Sequence, residues 1–167
     1  MLALEVVTML LVAVAMSMAL AHALEFPGKL RLDRQTYLAV QTIYYPGFTI
    51  GGVGEVLAVI ATLALMLTVR HDSFAFWWCF CAFAALLVMH LVFWFITQPT
   101  NRYWMKEVRL NKTSAAFFNV ESENRVDSPT PSTADWKELR DRWEYSHVVR
   151  AALSMIALVT LTVAVAR

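Results

Sequence analysis

The sequence predicts an all-α protein, built as an antiparallel four-helix transmembrane bundle with a short interfacial helix and a polar loop that caps one end. The first observation is composition, because 59% of the 167 residues are hydrophobic, more than an ordinary soluble domain carries. The second is the presence of four apolar stretches, each about 20 residues or longer, which is the length needed to cross the hydrocarbon core. The third is the short polar turn Arg70–Ser73, which permits only an antiparallel hairpin between its flanking stretches.

Each apolar stretch has the features of a spanning helix. The first is distinguished from a signal peptide by its length and by Glu5, which stands where a positively charged start would be expected. The fourth follows a helix start near residue 136, so that this helix is longer than the hydrocarbon is thick. All four belong to one membrane domain that covers the chain, with spans at about residues 2–25, 47–69, 74–97 and 143–166.

The two connections on one side of the bundle carry most of the positive charge. The first, residues 26–46, alternates apolar and polar positions, which predicts a helix lying among the lipid headgroups. The second contains the polar loop 106–134, which we expect to cap the bundle. The positive-inside rule then places both connections in the cytoplasm and both termini outside.

The charge balance also limits the partners. A net charge of +1 gives no general electrostatic attraction to nucleic acid. The expected partners are the lipid bilayer and a lipophilic small-molecule substrate, with self-association or a larger membrane complex as further options.

Each of the four apolar stretches contains a histidine, a glutamate or both. Ionisable groups in hydrocarbon are costly, so they are functional candidates by default. The alternating helix directions place six of these side chains in the same half of the bundle. Two helices carry His and Glu three residues apart on one face, an element that di-iron carboxylate bundles use. The six candidates are His22, Glu25, Glu55, His90, Glu144 and His147.

We therefore predict that these six side chains bind one or two metal ions. Mixed imidazole and carboxylate ligands favour iron, with manganese or zinc as alternatives. A haem or quinone site and a metal-free polar network remain open. In that network the pairs would be Glu25 with Lys29, Glu144 with Arg140 or Arg150, and Glu55 with His90.

Further side chains are expected beside the six. Arg150, one turn after His147 on the same helical face, is suited to hold a carboxylate or a substrate oxygen. Asn101 and Arg102 end the third span and are expected to close the mouth of the site. The aromatic residues expected to line its pocket are Trp94, Trp143 and Tyr145.

Four stretches of sequence carry a family resemblance. They are His22-Ala-Leu-Glu25-Phe-Pro27-Gly-Lys29, Tyr37-Leu-Ala-Val40-Gln41, Gln98-Pro99-Thr-Asn101-Arg102, and Arg142-Trp143-Glu144 through His147 to Arg150. Through them the chain resembles the anthrone oxygenase-like, or DUF1772, family of small four-helix membrane proteins. The resemblance implies a helical membrane bundle, and fungal members look like oxygenases that turn aromatic anthrones into anthraquinones with O2. It does not carry a substrate over to this chain.

The leading functional hypothesis is a membrane-embedded, metal-dependent oxidoreductase. It would be an oxygenase or oxidase that uses O2 on a lipophilic aromatic or quinone-like substrate. One alternative is a non-catalytic accessory subunit of a larger membrane complex. The other is a metal-dependent intramembrane hydrolase that uses a metal-activated water. Bound redox-active iron would favour the oxygenase, whereas stoichiometric zinc alone would favour the hydrolase.

Overall fold

A computed structural model describes residues 1–44, 46–105 and 135–166, without the side chains of residues 102–105 and 135. Within these ranges every secondary-structure element is a helix, and four helices are long and apolar enough to cross a membrane. The predicted all-α fold class is confirmed, and the chain is an integral multi-pass membrane protein. The polar loop 106–134 lies outside the described residues, so its capping role stays a prediction. Which side of the membrane each end faces also stays a prediction.

The helices follow the order expected from the sequence, with two extensions. The first spanning helix continues beyond residue 25 across Pro27. The third continues through a π-helical turn into a further helix. The elements are α1 (Leu2–Lys29), α2 (Arg34–Gln41) with a 3₁₀ turn (Thr42–Tyr44), α3 (Gly47–Thr68), α4 (Phe74–Val92) with the π-helical turn (Phe93–Thr97), α5 (Gln98–Met105) and α6 (Asp135–Val165).

Local side-chain caps set the start of two helices. Asp33 precedes α2 and accepts a hydrogen bond from the Thr36 backbone N–H, which holds the pKa of the Asp33 carboxyl below its usual value. Ser73 precedes α4 and accepts from the Phe76 backbone N–H. α2 is the predicted interfacial helix, and it buries Tyr37 on its inner face.

The four long helices close into a bundle in which α6 packs along both α1 and α4, while α3 packs on the other sides of the same two helices. The interior away from α2 is apolar and made largely of small side chains. Alanines such as Ala58 and Ala82 are buried there together with larger residues such as Leu86 and Leu161. Small side chains let helices approach closely in lipid, where packing replaces the hydrophobic effect as the force between helices.

At Gly51 on α3, an added Cβ would overlap the thioether of Met18 on α1. We expect Gly51→Ala to lower stability by about 1 kcal/mol, the low end of overpacking costs, because the flexible end of Met18 can shift. Gly47→Ala is the matched control, since a Cβ at Gly47 meets nothing within 4 Å. Thermal unfolding in detergent measures the difference, and equal midpoints for the two variants would contradict it.

Candidate functional site

A pocket lies between α1, α3, α6 and the π-helical turn, beneath α2. Its volume is about 110 Å³, somewhat less than the roughly 150 Å³ of an engineered cavity that holds benzene in another protein. This volume is about that of one aromatic ring, and because the pocket is partly open, a larger ligand would extend beyond it. The aromatic side chains in its wall are Tyr44, Phe48, Phe93, Trp94 and Trp143, and the polar ones are His22, Gln41, Thr49, Glu55, His90, Asn101, His147 and Arg150.

Four of the six predicted ligand residues line this pocket, and the other two lie behind its wall. His22, Glu55, His90 and His147 are in the lining. The carboxylates outside the lining, Glu25 and Glu144, pair with Lys29 on α1. The polar side chains at this end form two groups: the Glu55 cluster (Glu55, His90, Trp94 and Arg150) and the Lys29 cluster (Glu25, Lys29, Tyr37, Tyr44 and Glu144).

The Glu55 cluster holds a buried carboxylate between a guanidinium and an imidazole. A terminal nitrogen of Arg150 donates to Glu55 Oε2 at 2.5 Å, and His90 Nδ1 lies 3.1 Å from Glu55 Oε1. Trp94 Nε1 donates to His90 Nε2 at 2.9 Å. An indole N–H can only donate, so His90 Nε2 is the acceptor and Nδ1 carries the proton that binds Glu55. Both nitrogens of His90 are thus engaged.

The Lys29 cluster holds two carboxylates around one buried ammonium group. Lys29 Nζ lies 3.0 Å from Glu25 Oε2 and 3.6 Å from Glu144 Oε1. The Tyr37 hydroxyl donates to Glu144 Oε1 at 2.9 Å, and the Tyr44 hydroxyl donates to Glu25. Two elements, α2 and its 3₁₀ turn, are thereby tied to α1 and α6.

Glu144 therefore has a different partner from the arginines expected on its own helix. Arg140 instead binds Asp141, its neighbour in sequence, and Arg150 binds Glu55. The reason is that α1 continues as a helix past Pro27, which carries Lys29 to the wall of α6.

The two phenols of the Lys29 cluster remain hydrogen-bond donors over the ordinary pH range. Burial, and next the charge of Glu144, raise the pKa of the Tyr37 phenol far above its usual value. Burial and the hydrogen bond to Glu25 do the same to the pKa of Tyr44. Both therefore keep the proton that they share with a carboxylate.

His147 presents an unprotonated nitrogen in its neutral form. Its Nδ1 lies 2.9 Å from the backbone carbonyl of Trp143; a carbonyl only accepts, so Nδ1–H is the donor and Nε2 carries the lone pair. The ring packs 4.1 Å from the Trp143 ring and 4.3 Å from the His22 ring, measured between centroids. His147 is buried and in the pocket lining, so its Nε2 is a candidate proton acceptor there.

The side-chain arrangement does not match the predicted metal centre. Among the residues described, no group of three or more His, Cys, Asp or Glu side chains is arranged to hold a metal ion. Arg150 already balances the charge of Glu55, and Lys29 serves Glu25 and Glu144. Metal binding therefore stays a prediction, without a matching ligand set in this arrangement.

Asn101 and Arg102 were expected to close the mouth of the site, and the structure describes the side chain of Asn101 alone. Asn101 lines the pocket and accepts a hydrogen bond from Trp143 Nε1 at 2.6 Å, so it joins α5 to α6 at the surface end. The side chain of Arg102 lies outside the described part of the chain.

Of the three expected lining aromatics, Trp94 and Trp143 are in the pocket wall and Tyr145 is not. Tyr145 is 59% exposed on the outer side of α6, where its ring lies 5.1 Å from that of Phe26. Residues two apart on a helix point in nearly opposite directions, so Tyr145 cannot share the face of Trp143 and His147.

Gln41, Phe48 and Phe93 line the pocket, although the sequence did not predict them as site residues. For Gln41 a signal existed. Tyr37, Gln41 and Tyr44 recur at helical spacing in the interfacial segment, and all three are buried. That spacing could have predicted an inward face of α2.

Comparison with known protein families decides the classification of this bundle and its pocket. The family model described as anthrone oxygenase matches residues 41–160, a range that includes Glu55, His90 and His147. The chain belongs to the anthrone oxygenase family. The resemblance predicted from short motifs is thereby confirmed.

The matched range of the anthrone oxygenase family leaves out α1, so His22, Glu25 and Lys29 are features of this chain that precede the match. No curated protein and no solved structure matches the chain.

Proposed function

We propose that this member of the anthrone oxygenase family is a membrane-embedded oxygenase that acts on a lipophilic aromatic substrate in the pocket. The observation that carries the proposal is His147, which offers Nε2 as a proton acceptor within aromatic walls. The family's name supplies the class of reaction. The apolar surroundings of the pocket support a substrate that partitions into the bilayer.

The proposed reaction converts a ring CH2 group and O2 into a carbonyl and water. His147 takes one C–H proton at Nε2, and the electron pair left on carbon reduces O2 as a C–O bond forms. The proton returns to give a hydroperoxide. Loss of the second C–H proton then breaks the O–O bond, which leaves the carbonyl and releases water. Atoms and electrons balance without an added reductant.

The surroundings of His147 support each part of this reaction. The aromatic side chains Phe48, Phe93 and Trp143 give flat surfaces against which a planar substrate can pack. The Nε–H of Arg150, a residue of the pocket wall, has no partner in the structure and would donate to the anion formed when the proton leaves. The Trp143 carbonyl fixes the imidazole tautomer that this role requires.

We further propose that the reaction proceeds without a resident metal. Buried carboxylates need compensating positive charge, and Arg150 and Lys29 supply it here. Elemental analysis of the protein purified in detergent tests this. Stoichiometric iron, manganese or zinc that falls in Glu55→Ala and His90→Ala would overturn the metal-independent form and restore the metal hypothesis.

His147→Gln should lower the rate of O2 consumption by about 10²–10⁴-fold with anthrone as substrate, which is the usual contribution of a general base. His71→Gln is the matched control, because His71 is exposed in the turn before α4. A chelator should leave the wild-type rate unchanged. An undiminished rate in His147→Gln, or no O2 consumption by the wild-type protein, would refute the proposal.

A further inference from the structure

A separate groove lies on the outer surface of the bundle, between α6 and the segment that joins α4 to the π-helical turn. Each wall is a stripe along one helical face, because its residues recur at spacings of three, four or seven. The α6 wall consists of Arg142, Tyr145, Ser146 and Val149, and the opposite wall of Val92 and Ile96. The groove therefore runs along the helix axes, outside the pocket already described.

Contacts between the two walls fix the direction of the groove. Along the chain they join Asn101 to Trp143, Thr97 to Ser146, and Phe93 to Arg150. Residue numbers fall on one side as they rise on the other, so the two segments are antiparallel. Ile96 therefore lies at the Arg142 end of the groove. Val92 lies at the other end, toward Val149.

The groove changes from charged to apolar along its length. Arg142 is exposed and directly precedes the fourth predicted span, 143–166, which places its guanidinium at the boundary between head groups and hydrocarbon. Val149 is seven residues, or about 10 Å, further along α6. Tyr145 and Val149 are 59% and 48% exposed, so the groove is open toward the lipid. A cation followed by an apolar channel has the polarity of a phospholipid, with its phosphate at the boundary and its acyl chain below.

Arg142 differs from the other arginines of α6 in having no carboxylate partner in the part of the chain that the structure describes. Arg140 binds Asp141, and Arg150 binds Glu55. A guanidinium can bind two phosphate oxygens at once. Basic side chains between spanning helices are known to bind anionic lipid head groups. The charge of Arg142 is therefore available to a phosphate.

We propose that this groove binds one anionic phospholipid. The phosphodiester would accept hydrogen bonds from Arg142, and one acyl chain would lie along Ile96, Val92 and Val149. The lipid would contact the outer side of the π-helical turn, whose aromatic side chains line the pocket. The inference does not depend on the reaction proposed for that pocket.

The test is native mass spectrometry of the lipid-free protein in detergent, titrated with phosphatidylglycerol. We expect one lipid molecule to bind before any other. In Arg142→Met its Kd should rise about tenfold, which corresponds to the loss of one hydrogen bond to a charged group. Lys137→Met is the matched control, because it removes the same charge from an exposed position on α6 outside the groove. Its Kd should equal that of the wild type.

A second variant and two competitors test the apolar part of the groove and the identity of its occupant. Val149→Trp would fill the groove at an exposed position and should weaken phosphatidylglycerol binding several-fold. Phosphatidylcholine with the same chains should bind more weakly, because its own ammonium group offsets the phosphate charge. Inorganic phosphate, which has no acyl chain, should not displace the lipid. An unchanged Kd in Arg142→Met or Val149→Trp, an equal loss in Lys137→Met, equal affinity for the two lipids, or displacement by inorganic phosphate would overturn the inference.

Discussion

Arg150→Met should destabilise the protein by about 3–5 kcal/mol, the usual cost of removing one partner from a buried ion pair. Among the described residues, the variant leaves the Glu55 carboxylate with only the N–H of His90, although Glu55 is 5% exposed and lies within a spanning helix. The measurement is thermal unfolding in detergent, followed by circular dichroism. We expect a much lower midpoint and a reduced yield of monodisperse protein.

The double variant Glu55→Leu, Arg150→Met should recover most of this loss, because it removes both charges together. Arg142→Met is the matched control, since Arg142 is exposed on the same helix, and its midpoint should stay close to that of the wild type. A double variant as unstable as Arg150→Met would show that the cost does not come from an uncompensated carboxylate.

Lys29→Met should lower the free energy of unfolding by a similar amount, about 3–5 kcal/mol. Lys29 is the cation that serves both Glu25 and Glu144, and Glu144 has no exposed surface. Without the ammonium group, the Tyr37 hydroxyl would be the remaining partner of Glu144 in the part of the chain that the structure describes. Since that hydroxyl also fixes α2, we expect the α2 segment to become more accessible to protease as the unfolding midpoint falls.

Two further variants separate charge from packing in this cluster. Lys29→Met combined with Glu144→Gln should be more stable than Lys29→Met alone, because the amide carries no charge. Lys137→Met, an exposed position on α6, should have no measurable effect. If Lys29→Met unfolds at the wild-type temperature, the ammonium group does not compensate the two carboxylates.

The candidate site was predictable in its location and less so in its pairings. Glu55 and His90 were predicted as metal ligands, and the metal-free alternative, in which they pair with each other, agrees with the contact of 3.1 Å between His90 Nδ1 and Glu55 Oε1. In that alternative, the partners suggested for Glu144, Arg140 or Arg150, were wrong, because the structure pairs Glu144 with Lys29. The choice between a lysine on α1 and arginines on α6 depends on where α1 ends. Tyr145 was assigned to the wrong face, although the helical period alone was sufficient to exclude it from the face of His147.

The sequence by itself determined the four apolar spans, the membrane environment, the interfacial helix and the end of the bundle that carries polar side chains. These properties depend on composition and on periodicity within one helix. Only the tertiary structure decided that Arg150 binds Glu55, that Lys29 binds Glu25 and Glu144, and that Gln41 closes the pocket. Contacts between helices depend on the rotation and axial position of each helix, and those are set by packing across the whole bundle.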